Sequence, residues 1–190
     1  MFARTERLLL RPGWHEDAPA LAATIGDESI VRNLARAPWP YKVADAEEFI
    51  ARTDQSTLPN FLIFSRTLGA PRLVGSCGVT RDKTGALELG YWIARPYWGL
   101  GFATEASRTV VEIARAMKLP KLYARHAIDN PASGNVLRKI GFRPTGRISL
   151  CHSEGRGEDV SCALFEEDEL VDMRPDLSTD LYQDRHALAA

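Results

Sequence analysis

The 190-residue sequence lacks most features that assign a chain to a class at a glance. Its three cysteines, Cys77, Cys151 and Cys162, are odd in number and widely spaced, with no C-x-x-C pair. That pattern argues against a disulfide framework and for reduced thiols in or near strands. His15, His152 and His186 share no ligand spacing with one another or with the cysteines, so no metal site is predicted. No apolar run approaches the ~20 residues of a membrane span. Residues 1–6 carry no signal-peptide apolar region, which predicts a cytoplasmic protein. A formal net charge of −1 gives no electrostatic reason to bind nucleic acid. Two familiar phosphate loops are missing as well. Thr104 stands where a G-x-G-x-x-G motif needs its third glycine, and no Gly-Lys-Ser/Thr of a Walker loop follows.

What is present reads as one α/β domain over residues 1–170, with 171–190 as a charged, weakly periodic extension of unassigned role. The apolar share of 45% is ordinary for a globular chain, and no internal repeat is apparent. Residues 7–11 read as a first strand, 14–26 and 28–36 as helices begun near Asp17 and Asp27, and 44–53 as a third helix. Residues 61–67, 73–80 and 87–94 form a strand meander, with turns at 68–71 and 82–85. Periodicity then becomes helical over 102–118, where Ala106, Val110, Ile113, Ala114 and Met117 share one face. A strand at 121–128 and a short helix from Pro131 follow. The last antiparallel pair, 147–151 with 159–165, turns at 152–157.

Two junctions carry chemistry. Gly99 and Gly101 lie between the strand at 87–94 and the helix at 102–118. Glycines at such a junction let several backbone N–H groups converge at the positive end of a helix dipole, which suits a phosphate or pyrophosphate. The small residues Ala103 and Thr104 keep the first turn open. At the second junction Asn130 is placed to cap a helix with Pro131 in its first position, and Gly141 to close it in a left-handed conformation. Read alone, that second segment is simply a short capped helix.

Together the two junctions resemble the GNAT superfamily of N-acetyltransferases. Trp98-Gly99-Leu100-Gly101-Phe102-Ala103 matches its acyl-CoA pyrophosphate loop, Q/R-x-x-G-x-G/A, with Trp98 in place of the usual Gln or Arg. Asn130, Ser133, Lys139, Gly141 and Phe142 match N-x-x-A/S-x-x-x-x-x-K-x-G-F. Trp98, Ser133 and the opening Thr5-Glu-Arg-Leu-Leu-Leu-Arg-Pro12 look most like the RimJ/RimL-type branch, named for enzymes that acetylate N-termini of ribosomal proteins. The resemblance runs from about Thr5 to about Glu166.

The resemblance implies a mixed, largely antiparallel sheet flanked by helices, splayed between the strands at 87–94 and 121–128, with acyl-CoA in the opening. It implies acetyl-CoA as co-substrate, no metal, and direct transfer of acetyl to a primary amine. The acceptor would be a protein N-terminus or a small molecule. A homodimer is compatible with it, and a non-catalytic acyl-CoA-binding or regulatory domain is the alternative. The pyrophosphate would rest on the N–H groups of Gly99, Leu100, Gly101, Phe102, Ala103 and Thr104, beside Trp98. The pantetheine arm would pair with main chain at Trp92 and Ile93 and be held from the other side by Asn130, with Lys139 reaching the CoA phosphates.

Amine acetylation needs a proton acceptor and help for the departing sulfur. Glu88 is the candidate base: strand alternation puts it on one face with Gly90 and Trp92, and some family members use a strand glutamate at a similar spacing. A water chain or a solvated, ion-paired carboxylate is the competing reading. The tyrosine that protonates the thiolate in many members is replaced here by Leu137. Ser133 resembles a serine that hydrogen-bonds the CoA sulfur; otherwise it is a first-turn residue bonding backbone. Glu105 reads as structural, its carboxylate stabilising the helix dipole. His126 and the aromatics Tyr91, Trp92, Tyr97 and Trp98 read first as core or cleft wall.

Overall fold

The computed structural model describes residues 1–66 and 69–168. The extension at 171–190 and part of the turn at 68–71 therefore lie outside the described residues. One eight-stranded sheet runs in the order β1-β2-β3-β4-β5-β6-β8-β7. Its strands are β1 (Ala3–Arg4), β2 (Leu8–Arg11), β3 (Asn60–Ser65), β4 (Arg72–Arg81), β5 (Leu87–Ile93), β6 (Leu122–Ala127), β7 (Phe142–Ser153) and β8 (Glu158–Glu167). Every neighbouring pair is antiparallel except β5 with β6. That parallel pair is joined only at Leu87↔Leu122 and Glu88↔Tyr123. Beyond those two residues the strands part, and the sheet opens between the ends of β5 and β6.

Among the described residues five α-helices cover the two faces: α1 (Ala18–Ile25), α2 (Glu28–Val31), α3 (Val43–Asp54), α4 (Phe102–Ala116) and α5 (Pro131–Lys139). The apolar stripe of α4, Phe102, Ala106, Val110, Val111 and Ala114, packs with Val79, Leu87, Leu122 and Leu137 in the largest core cluster. On the opposite face α1 and α3 bury Leu21, Ala46 and Ile50 against Leu62 and Phe64. Trp92 packs against this cluster and against the one around Ile30 and Val31. None of the described helices is long and apolar enough to cross a membrane.

Several sequence expectations need correction. The helix expected over 14–26 begins as a 3-10 turn at His15–Asp17, and Asp17 does not cap α1. Its carboxylate is taken by Arg11, in a fork of two 2.7 Å hydrogen bonds. The helix expected over 28–36 stops after Val31, although Asp27 does cap it by accepting from the Ser29 N–H at 2.9 Å. Residues beyond it are held by the β7–β8 turn instead. Ser153 Oγ donates to Leu34 O, the Glu154 N–H to Ala35 O, and Arg156 Nε to Arg32 O. The final hairpin is longer than expected at both ends, with a register shift between Pro144 and Ile148 that tolerates the proline on this edge strand.

Candidate active site

The glycine junction follows β5 through a 3-10 turn at Arg95–Tyr97. Gly99 and Gly101 have φ of 77° and 82°, left-handed values that strain any residue with a Cβ. Gly101 is the N-cap of α4, and no side chain caps that helix. The first intrahelical bond is Glu105 N–H to Gly101 O, so the N–H groups of Phe102, Ala103 and Thr104 point forward out of the helix without helical partners. These residues, with Gly99, line a cleft of about 830 Å³. The donor set, the open turn and the dipole fit a diphosphate.

Two side chains fix this loop. Arg7 Nη1 donates to Leu100 O at 2.9 Å, Arg7 Nε donates to Glu105 Oε2 at 2.8 Å, and its guanidinium lies 4.8 Å over the Phe102 ring. Glu105 also accepts from the Arg7 N–H and the Thr5 hydroxyl. Burial opposes its charge, yet these donors together hold the carboxyl below its ordinary value. Glu105 is thus the structural anchor its position suggests, and the opening Thr5–Arg7 motif is the other half of the clamp. Trp98, expected beside the ligand, donates its indole N–H to Ile93 O at 2.6 Å and ties the loop to the end of β5.

Main-chain direction along β5 follows from one bond. The Ala94 N–H donates to Val74 O at 2.8 Å, so by antiparallel alternation residues 88, 90 and 92 direct their backbone groups to β4. Residues 89, 91 and 93 direct theirs into the opening. Of the two residues expected to pair with an extended ligand, Ile93 points its main chain into the opening and Trp92 does not. Trp92 supplies cleft wall instead.

Glu88 lies on the Trp92 face, just where the two strands part. Both its oxygens are engaged by Arg125 on β6, Nε to Oε1 at 2.7 Å and Nη2 to Oε2 at 3.1 Å, and Tyr123 Oη is 3.3 Å from Oε2. Burial works against the Arg125 charge, but the Glu88 carboxylate outweighs it and raises the guanidinium pKa above its ordinary value. Tyr123 also donates to Asp82 at 2.8 Å. The candidate base is therefore both ion-paired and cleft-lining.

Across the opening, Asn130 is the N-cap of α5, but its side chain makes no capping bond. Its amide is left to the cleft, beside Ser133 and Lys139. Ser133 Oγ is 2.8 Å from the Tyr91 hydroxyl, which is also 2.9 Å from Ser133 O. Gly141 closes the helix with φ of 90°. His126 turns Nδ1 to Ala127 O at 2.8 Å and packs its ring against Gly134, where a Cβ would lie 2.6 Å from Nε2. It acts as a spacer between β6 and α5. Leu137 is fully buried. The sequence reading gives Tyr91 only as core or cleft wall and does not reach Arg125. The one sequence signal for Arg125 is strand parity, which puts it on one face with Tyr123. Among the described residues no three His, Cys, Asp or Glu side chains are grouped to hold a metal.

Comparison with known proteins agrees with this geometry. Residues 7–143 match the family model "Acetyltransferase (GNAT) domain". The uncharacterized N-acetyltransferase p20 of Bacillus licheniformis is 27% identical over 168 residues, 85% of this chain and 92% of that protein. Among solved structures, a GNAT-family acetyltransferase from Bacillus anthracis superposes with a TM-score of 0.73 at 24% identity, over 87% of this chain and 97% of the other. RimL, a ribosomal-protein α-N-acetyltransferase in complex with coenzyme A, gives 0.70 at 16%, over 88% and 97%. The open sheet, the uncapped α4 N-terminus and the family match agree, and the chain belongs to the GNAT acetyltransferase family.

Proposed function

We propose that the protein transfers acetyl from acetyl-CoA directly to a primary amine in the opening between β5 and β6. The observation that carries this reading is convergence on one cleft. The forward-pointing N–H groups of α4, the outward main chain of β5, Glu88 and Ser133 all border it. The N–H groups of Gly99 to Thr104 hold the pyrophosphate, with Lys139 of α5, which lines the cleft, for a phosphate. The main chain of Ile93 and the side chain of Asn130 hold the pantetheine arm, which is peptide-like and pairs as an added strand does.

The acceptor amine enters on the Trp92 face, under α1–α3 and the β7–β8 turn. The wall there combines Trp92, Tyr41 and Phe49 with Glu88 and Arg36. Above Gly90 there is open space, since a Cβ built on it would meet nothing within 4 Å. That gap in the floor lies between Glu88 and Trp92 on the same face of β5 and leaves room for an amine beside the carboxylate. Glu88 accepts the amine proton directly or through a water it orders, while Arg125 keeps its carboxylate aimed at the cleft. Ser133 gives a hydrogen bond to the departing sulfur. Orientation of the two reactants supplies most of the acceleration, because the chemistry needs no covalent enzyme intermediate.

The test is thiol release from acetyl-CoA with a panel of amines: peptides with free N-termini, amino acids, polyamines and aminoglycosides. Turnover with at least one class is expected, with acetylated product matching released thiol. Saturable acetyl-CoA binding with no turnover across the panel would favour the non-catalytic acyl-CoA-binding reading.

A further inference from the structure

We infer that Tyr91 is the positioning residue for Ser133, and that their two hydroxyls act as one hydrogen-bonded unit toward the departing sulfur. This rests on the acetyl-transfer reading above. Tyr91 lies on β5 with its side chain on the opposite face from Glu88 and Trp92, and its ring packs against the cluster beneath α4. From there the phenol reaches across the opening to the first turn of α5. Its oxygen is 2.9 Å from Ser133 O and 2.8 Å from Ser133 Oγ.

Each hydroxyl has one hydrogen, so two arrangements fit these distances. In one, Tyr91 donates to the carbonyl and Ser133 donates to Tyr91. In the other, Tyr91 donates to Ser133 Oγ, and the serine hydrogen is free to point into the cleft. With no anion nearby the first satisfies more groups. Negative charge beside Oγ selects the second, because a hydrogen bond to an ionised acceptor is roughly twice as strong as a neutral one. The chain then runs from the phenol through Ser133 to sulfur, and each bond polarises the next.

No proton changes owner within the pair. As the amine nitrogen bonds to the thioester carbon, the C–S bond breaks and its electron pair goes to sulfur. The amine proton leaves through Glu88 or water, and sulfur is protonated afterwards from solvent. Burial raises the Tyr91 phenol well above its ordinary pKa, more than its bond with Ser133 lowers it. It therefore stays a neutral donor throughout. The position on α5 where the family pattern often carries a tyrosine holds the buried Leu137. Here a phenol reaches the same helix from the opposite wall.

Tyr91→Phe keeps the ring and removes only the hydroxyl. The expected result is a fall in kcat of about tenfold, with acetyl-CoA KM and Tm nearly unchanged. Ser133→Ala should lose a similar factor, and the double variant no more than Ser133→Ala alone, because the pair acts as a unit. A second readout needs no turnover: the ultraviolet thiolate absorption of bound CoA, followed against pH. Its midpoint should rise by a similar amount in both single variants. Additive losses, or a Tyr91→Phe variant with lower Tm but intact kcat and thiolate midpoint, would make Tyr91 a mere tether and overturn the inference. If Ser133→Ala alone changes nothing, the role of Ser133 falls first. If only Tyr91→Phe is silent, this inference fails and the role of Ser133 stands.

Discussion

Gly101→Ala is a small change with two separable consequences. Gly101 caps α4 at φ 82°, and the added Cβ would have only Arg7 Nη2 within 4 Å, at an ordinary 3.5 Å. The methyl group therefore costs backbone strain rather than a clash, about 1–2 kcal/mol for a left-handed residue. If the loop holds its shape, stability falls by roughly that amount. If it relaxes to negative φ, the N–H groups of Phe102 to Thr104 lose their common aim. The helix-terminus contribution to an anion, about 0.3–2 kcal/mol, is then weakened. Dissociation constants for CoA should rise by about 2- to 30-fold, at 1.4 kcal/mol per decade. Titration calorimetry with CoA, alongside a melt of each variant, separates the two effects. Gly90→Ala is the control, with open space around its Cβ and a main chain already paired to β4. It should leave CoA affinity unchanged and affect only the acceptor. A folded Gly101→Ala protein with both wild-type stability and wild-type affinity for CoA would refute the placement of the pyrophosphate.

Three further predictions follow from named contacts. Glu88→Gln should lower kcat by ~10²–10⁴ while CoA affinity stays near wild type, if the carboxylate is the base; a lower Tm with normal turnover would leave it as the partner of Arg125 alone. Glu105 has a depressed pKa, so its contribution to stability is present above the ordinary glutamate value of about 4.3 and is lost as pH falls through the folded value. Melts from pH 7 to 3 should therefore fall more steeply for wild type than for Glu105→Gln, and parallel curves would remove the Thr5–Arg7–Glu105 clamp from the account. Gly134→Ala puts a methyl group 2.6 Å from His126 Nε2 and should cost ~1–3 kcal/mol in urea unfolding, since ring and helix must separate; a neutral result would show that α5 shifts freely on β6.

The parts of the fold legible in the sequence are those fixed by local chemistry. The β5–loop–α4 junction is encoded by glycines with left-handed φ and by the apolar stripe of α4. The start of α5 is set by Pro131, and its end by Gly141. The parts not legible there are held by partners distant in the chain. Residues 32–36 have helical composition but are drawn out by Ser153, Glu154 and Arg156. The Glu88–Arg125 pair depends on a parallel register set by a helical crossover, which spacing alone does not give. The Tyr91–Ser133 contact crosses the same opening. The resemblance gives Trp92 and Ile93 one role, whereas strand parity directs their main chains to opposite sides.

The composition of a quenched single turnover distinguishes direct transfer from a route through an acyl-enzyme. Three thiols offer the competing route through an acyl-cysteine. Burial pushes the Cys77 thiol up to about 12, and burial with its neighbour Cys151 does the same for Cys162; Cys151 and Cys162 both line the cleft. Enzyme in excess over acetyl-CoA, mixed with a productive amine, acid-quenched on the millisecond scale and read by intact-protein and small-molecule mass spectrometry, should show acetyl-amine and free CoA rising together, with the protein mass constant. An acetyl adduct on the protein that forms before the acetyl-amine and decays into it would contradict direct transfer.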